Sequence, residues 1–115
     1  MSEYIDEKEA LARIRGNVKL YKRMLSLFLE GKENDDFEQA VAEGDLQKAG
    51  DLAHTIKGVA GNLSLKPLFE LSAELMGQFR SSALDQGTLE AYRDAWVKTR
   101  EAVEQLVARY QQEGY

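Results

Sequence analysis

The chain has no cysteine, one proline and one histidine among its 115 residues, and each scarcity closes off chemistry. Without cysteine there is no disulfide, no thiol nucleophile and no thiolate metal ligand. A lone histidine cannot build a His-rich metal site or a paired-imidazole mechanism. Long apolar runs are missing as well, so nothing reaches the roughly 18 residues of a membrane-spanning helix. The start, Met1-Ser2-Glu3-Tyr4, has neither the basic residues nor the apolar core of a signal peptide. A cytoplasmic protein without a membrane partner is therefore expected. The chain also lacks a basic block and carries a net charge of −5. Nucleic acid is not an expected partner, because binding it depends on Lys and Arg that neutralise phosphates. The length suits one compact domain over residues 1–115. The nine glycines and the single proline do not gather into a linker, and a monomer is expected.

What is abundant is Ala, Leu, Glu, Lys and Gln without strand-type alternation, which predicts an all-α chain. Five helices are expected. A short first helix is capped by Asp6, with Glu9 three residues on, and ends at Arg15-Gly16-Asn17. A long second helix runs from Val18 to about Glu43, with Leu20, Met24, Leu27, Phe28, Phe37, Ala40 and Val41 inward and a bend at Gly31. Gly44-Asp45 reads as a helix stop followed at once by an N-cap. The third helix spans Leu46 to Asn62. The fourth runs from Lys66, with Pro67 in its first turn, through Leu68, Leu71, Leu75 and Phe79 to Arg80. After a loop over residues 81–87, Thr88 is expected to cap the last helix, whose seam is Leu89, Tyr92, Trp96, Thr99, Val103, Leu106 and Tyr110. Short turns between long amphipathic helices make an up-down antiparallel four-helix bundle, with the short N-terminal helix as a lid. The Asn34-Asp35-Asp36 run has nothing nearby to complete a ligand set and receives no role. No metal or cofactor of the chain's own is expected.

On the third helix Ala49, Leu52, Ala53, Ile56, Val59, Ala60 and Leu63 gather on one side, and His54 points the opposite way. Gly50, Lys57, Gly58 and Gly61 share its polar face. Each helical glycine costs roughly 0.5–1 kcal/mol relative to alanine, so three on one face call for an explanation. Close packing of another helix is the ordinary one. Their place opposite the apolar stripe suggests instead a surface kept low so that a protein partner can approach the imidazole. Asp51 could orient the ring, but no nucleophile stands beside it for general-base work. A cation such as Lys57 favours the neutral, nucleophilic ring and would pair with an anion attached to it. That combination describes a phosphohistidine site.

The run Ala53-His54-Thr55-Ile56-Lys57-Gly58-Val59-Ala60-Gly61-Asn62-Leu63 resembles the signature of the histidine phosphotransfer (HPt) domain family, His-x-x-Lys-Gly followed by small and apolar residues. Phe28, Phe37, Ala40 and Gly44-Asp45 before it, and Leu68, Leu71, Ala73 and Leu75 after it, extend the resemblance over about residues 6–78, with the last helix similar in character only. The resemblance implies that His54 takes a phosphoryl group, usually on Nε2, from a receiver-domain aspartate and hands it to another receiver, in response regulators or hybrid histidine kinases. It implies that Lys57 steadies the phosphoryl oxygens, that Gly58 leaves room for the receiver, and that Mg²⁺ comes with the receiver; Gly50 and Gly61 join Gly58 as docking positions through the glycine face described above. Ser64 departs from the family's usual glycine and is expected to cap the following helix. Two alternatives stay open: the phosphoacceptor domain of a chemotaxis-type kinase, and a helical adaptor without chemistry. With no Gly-rich nucleotide loop, autonomous kinase activity is not expected. A di-metal bundle would need inward Glu-x-x-His pairs, which the chain lacks.

Overall fold

Residues 2–115, the span described by the computed structural model, form six α-helices and no strand: α1 (Glu7–Arg13), α2 (Val18–Glu30), α3 (Glu33–Glu43), α4 (Leu46–Leu63), α5 (Lys66–Arg80) and α6 (Gln86–Gln112). Met1, the first residue of the expected domain, lies outside the described residues. Four helices begin at a side chain that accepts an otherwise unpaired amide hydrogen: Asp6 from Glu9, Asn17 from Leu20, Asp45 from Lys48 and Asp85 from Thr88. Gly44, left-handed at φ 73°, closes α3 just before Asp45 opens α4, the tight turn that Gly44-Asp45 predicts.

Asp85, not Thr88, caps the last helix. Its carboxylate accepts both the Thr88 amide and the Thr88 hydroxyl, at 3.3 and 2.9 Å. The carboxylate reaches two donors there, where a threonine hydroxyl would reach one, and hydrogen bonding, that from the Thr88 hydroxyl foremost, holds its pKa below the ordinary value. The expected seam is otherwise buried, except that Ala95 takes the fully buried place and Trp96 is half-buried beside it.

The arm from Val18 to Glu43 is two helices and not the one expected. Gly31 is extended, φ −67° and ψ 153°, and Lys32 starts α3. In one continuous helix Phe28 and Phe37 would stand about 180° apart, nine residues at about 100° each, yet both are buried. The break resets the phase so that each helix buries its own stripe. For α2 that stripe is Tyr21, Leu25 and Phe28, while Leu20 and Leu27, expected inward, are 41% and 58% exposed.

The in-line pair α2 and α3 makes one arm of the bundle, and α4, α5 and α6 make the others. Helix α4 lies between α3 and α5, and α6 returns along α5 and α2. The 27 residues of α6 span about 40 Å and set most of the 46 Å length of the molecule. Aromatic rings fill the centre: Phe37 meets Phe79 and Tyr92 at 5.8 and 5.1 Å between centroids, and Phe28 meets Trp96 at 5.2 Å. The Asn34-Asp35-Asp36 run has a structural place. Asp35 and Asp36 lie in the first turn of α3, where carboxylates suit the helix dipole, and Asn34 accepts the Tyr92 hydroxyl at 2.6 Å. Among the described residues no cluster of metal-ligating side chains occurs, and no helix is long and apolar enough to cross a membrane.

Helix α1 closes one end, as a lid should. Glu7 accepts hydrogen bonds from Arg109 and Tyr110, and the Asp6 amide donates to the Ser64 carbonyl at 2.9 Å. Ser64 does not cap α5, whose N-cap is Leu65 with no side-chain hydrogen bond. It ends α4 in the left-handed conformation, φ 59° and ψ 41°, which costs a non-glycine residue about 1 kcal/mol. Its buried hydroxyl donates to Glu9 at 2.8 Å and accepts from Arg13, bonds a glycine could not make. Hydrogen bonds from Lys66 and Ser64 hold the Glu9 carboxyl below its ordinary pKa.

Candidate functional site

Helix α4 carries the site, and its burial pattern decides what the site can do. Ala49, Ala53, Ile56, Ala60 and Leu63 are buried, as their spacing predicts, with Leu52 and Val59 half-buried. Asp51, His54, Thr55, Gly58 and Asn62 are exposed. At about 100° per residue these five occupy an arc of roughly 100° with His54 at one edge. The imidazole therefore borders on open solvent on one side and on helix α5 on the other.

The three glycines of the polar face separate along that border. Gly58 is exposed, and a Cβ built on it meets nothing within 4 Å. Gly50 is buried, contrary to its expected place on the open face. A Cβ there would stand 3.4 Å from Phe79 Cβ and 3.9 Å from Arg80 Cγ, both on α5. Gly61 is half-buried, and its Cβ would lie 3.3 Å from the Phe69 ring. The reason is geometric: α5 packs against α4 more closely than any other helix does, and it covers the side of His54 on which Gly50 and Gly61 lie. A neighbour thus covers both of these glycines, in ordinary contact at Gly50 and more tightly at Gly61, and none covers Gly58.

Lys57 stands on the α5 side of His54, half-buried, with its ammonium 5.7 Å from the centroid of the Phe69 ring. None of the ion pairs among the described residues includes it. Phe69 was not singled out by the sequence. Its signal was an aromatic residue one position off the apolar stripe of Leu68, Leu71 and Leu75, left 37% exposed.

On the other flank α2 makes few contacts with α4. Between them runs an apolar groove of about 230 Å³, lined by Met24, Leu27 and Phe28 of α2, Ile56, Val59 and Leu63 of α4, and Trp96 of α6, with Glu33 and Asn62 at its polar margin. It opens beside the exposed strip, which Asn62 borders.

Residues 23–113 match the Hpt domain family. The match takes in α6, which the motif resemblance reached only in character, and leaves α1 outside. No match was found among curated proteins or among solved structures. Members of the family carry out histidine phosphotransfer in phosphorelays and interact with receiver domains. With an all-helical bundle that presents its one histidine to solvent and a family match over most of its length, this chain belongs to the Hpt domain family.

Proposed function

We propose that the whole chain works as one phosphotransfer domain, in which His54 accepts a phosphoryl group from a receiver aspartate and passes it to the aspartate of another receiver. The observation that carries this reading is an exposed imidazole beside an exposed Gly58 with open space over it. In the transfer a ring nitrogen attacks phosphorus. The P–N bond forms as the acyl phosphate P–O bond breaks, and the electron pair returns to the aspartate carboxylate. A neutral ring keeps the proton on its other nitrogen, so the step needs no base. Lys57 steadies the phosphoryl oxygens. The receiver brings Mg²⁺ and most of the charge stabilisation, and this chain brings a positioned nucleophile. The receiver approaches over Asp51, Thr55, Gly58 and Asn62, not over Gly50, which α5 covers.

The test is to mix the protein with a phosphorylated receiver and follow the label. Label should appear on the chain, be labile to acid and stable to base as a phosphoramidate is, and vanish in His54→Gln. Helical content and thermal midpoint should hardly change in that variant, because the side chain lies outside the core. Label that persists in His54→Gln, or survives acid, overturns the assignment, and binding without any label favours the adaptor reading.

A further inference from the structure

A cation meant to meet a phosphoryl group must be held in place without being neutralised. Lys66 is held by the carboxylate of Glu9 at 2.8 Å and Lys98 by that of Asp94 at 3.0 Å. Lys57 is not. It is half-buried, pairs with no carboxylate among the described residues, and rests on the Phe69 ring. An aromatic face attracts an ammonium through its quadrupole and carries no net charge, so all of the cation's charge stays available to an anion. Gly61 leaves the ring room to lie there. A Cβ at that position would press on Phe69 Cδ2 and Cε2 at 3.3 Å, closer than ordinary van der Waals contact.

We propose that Phe69 is a positioning residue for phosphotransfer: its ring holds the Lys57 ammonium beside His54, and residue 61 is glycine so that the ring can take that place. The inference rests on the phosphotransfer reading above and adds a residue from α5 to it. Phe69 acts through Lys57 alone. The short polar wall behind it, Glu9, Arg13, Ser64 and Lys66, belongs to the α1 lid and takes no part.

The experiment compares the wild type with Phe69→Leu, Phe69→Tyr, Gly61→Ala, Lys57→Ala and the double variant Lys57→Ala/Phe69→Leu. Each is phosphorylated in two ways, by a phosphorylated receiver and by phosphoramidate, a small donor that transfers its phosphoryl group to imidazole and releases ammonia. Thermal midpoints are recorded alongside. Phe69→Leu should slow both reactions about two- to fivefold, the scale of one partly exposed cation–π contact. Phe69→Tyr should restore the wild-type rate. Gly61→Ala, which improves the helix yet displaces the ring, should slow transfer in the same direction without lowering the midpoint. In the Lys57→Ala background Phe69→Leu should change nothing further. Rates equal to wild type in Phe69→Leu overturn the inference. So does an effect seen with the receiver but not with phosphoramidate, which would make Phe69 a docking contact, and so does a loss that persists when Lys57 is absent. If Phe69→Leu unfolds, Gly61→Ala alone decides. Failure of the wild type to take phosphate from either donor is a different result, and it overturns the phosphotransfer reading itself.

Discussion

Gly50 and Gly58 lie on one face of α4, about two turns apart, and both read from the sequence as gaps left for a partner. One is buried against Phe79 and the other faces open space. The contrast shows that a glycine on the polar face of a bundle helix reports a close approach without saying whose. At Gly50 the visitor is the chain's own α5, already present. At Gly58 the space is free, and the visitor must come from outside.

The largest effect should come from filling the free space. Gly58→Leu places a branched side chain about 40° around the helix from His54, where a receiver must bring its aspartate in line with the imidazole. A displacement of roughly 1 Å can cost about 100-fold in rate, so receiver-dependent transfer should fall by about two orders of magnitude or more. Stability should stay level or rise by up to nearly 1 kcal/mol, as leucine is the better helix former and nothing is there to clash. Transfer at the wild-type rate, or a lowered thermal midpoint, would erase the distinction between the two glycines.

Gly50→Leu should show the reverse pattern. Its side chain would drive into Phe79 and Arg80, and overpacking of this kind costs roughly 1–3 kcal/mol. The midpoint of denaturant unfolding should shift accordingly, while the folded fraction still takes phosphate at close to the normal rate. If transfer collapses while stability holds, the receiver reaches farther over α5 than the burial of Gly50 implies.

A smaller effect separates the two flanks of α4 by pH. Where α5 holds its flank by apolar contact, α2 is tied to the end of α4 by the buried Tyr21 hydroxyl, which donates to the Leu63 carbonyl at 2.7 Å. Burial pushes the Tyr21 phenol well above its ordinary pKa of 10.0, and the same holds for Tyr92 and Tyr110. A raised folded-state pKa contributes stability that is complete below the unfolded value and is lost as pH rises through the folded one. Stability should therefore be insensitive to these groups below about pH 10 and decline above it. Phenolate absorbance from the three buried tyrosines should appear together with the loss of helical circular dichroism. Early ionisation of Tyr21 in a folded protein would mean that the α2 flank opens on its own.

Much of this was legible in the chain itself. The caps at Asp6 and Asp45, the stop at Gly44 and the alternating seam of α6 are local patterns, and local hydrogen bonding and 3.6-residue periodicity suffice to read them. The break at Gly31-Lys32 was harder, since glycine in a helix is tolerated often enough to pass as a bend. The sign of it lay in the opposed phases of Phe28 and Phe37, which one stripe of a continuous helix cannot hold together. The environments of Gly61 and Ser64 were not legible, because Phe69, Glu9 and Arg13 come from other helices.

By itself the sequence determined that the chain is helical, that His54 stands outside the apolar stripe of its helix, and that Lys57 and Gly58 accompany it, because rotation along one helix depends only on residue number. Tertiary structure alone decided how wide the exposed strip is. In a bundle a central helix touches neighbours on two sides, so the covered arc extends beyond the apolar stripe, and on α4 it reaches past Gly50 and Lys57 to the edge of His54. Which polar-face residues stay open depends on how closely each neighbour packs, and that is set by contacts between helices distant in sequence.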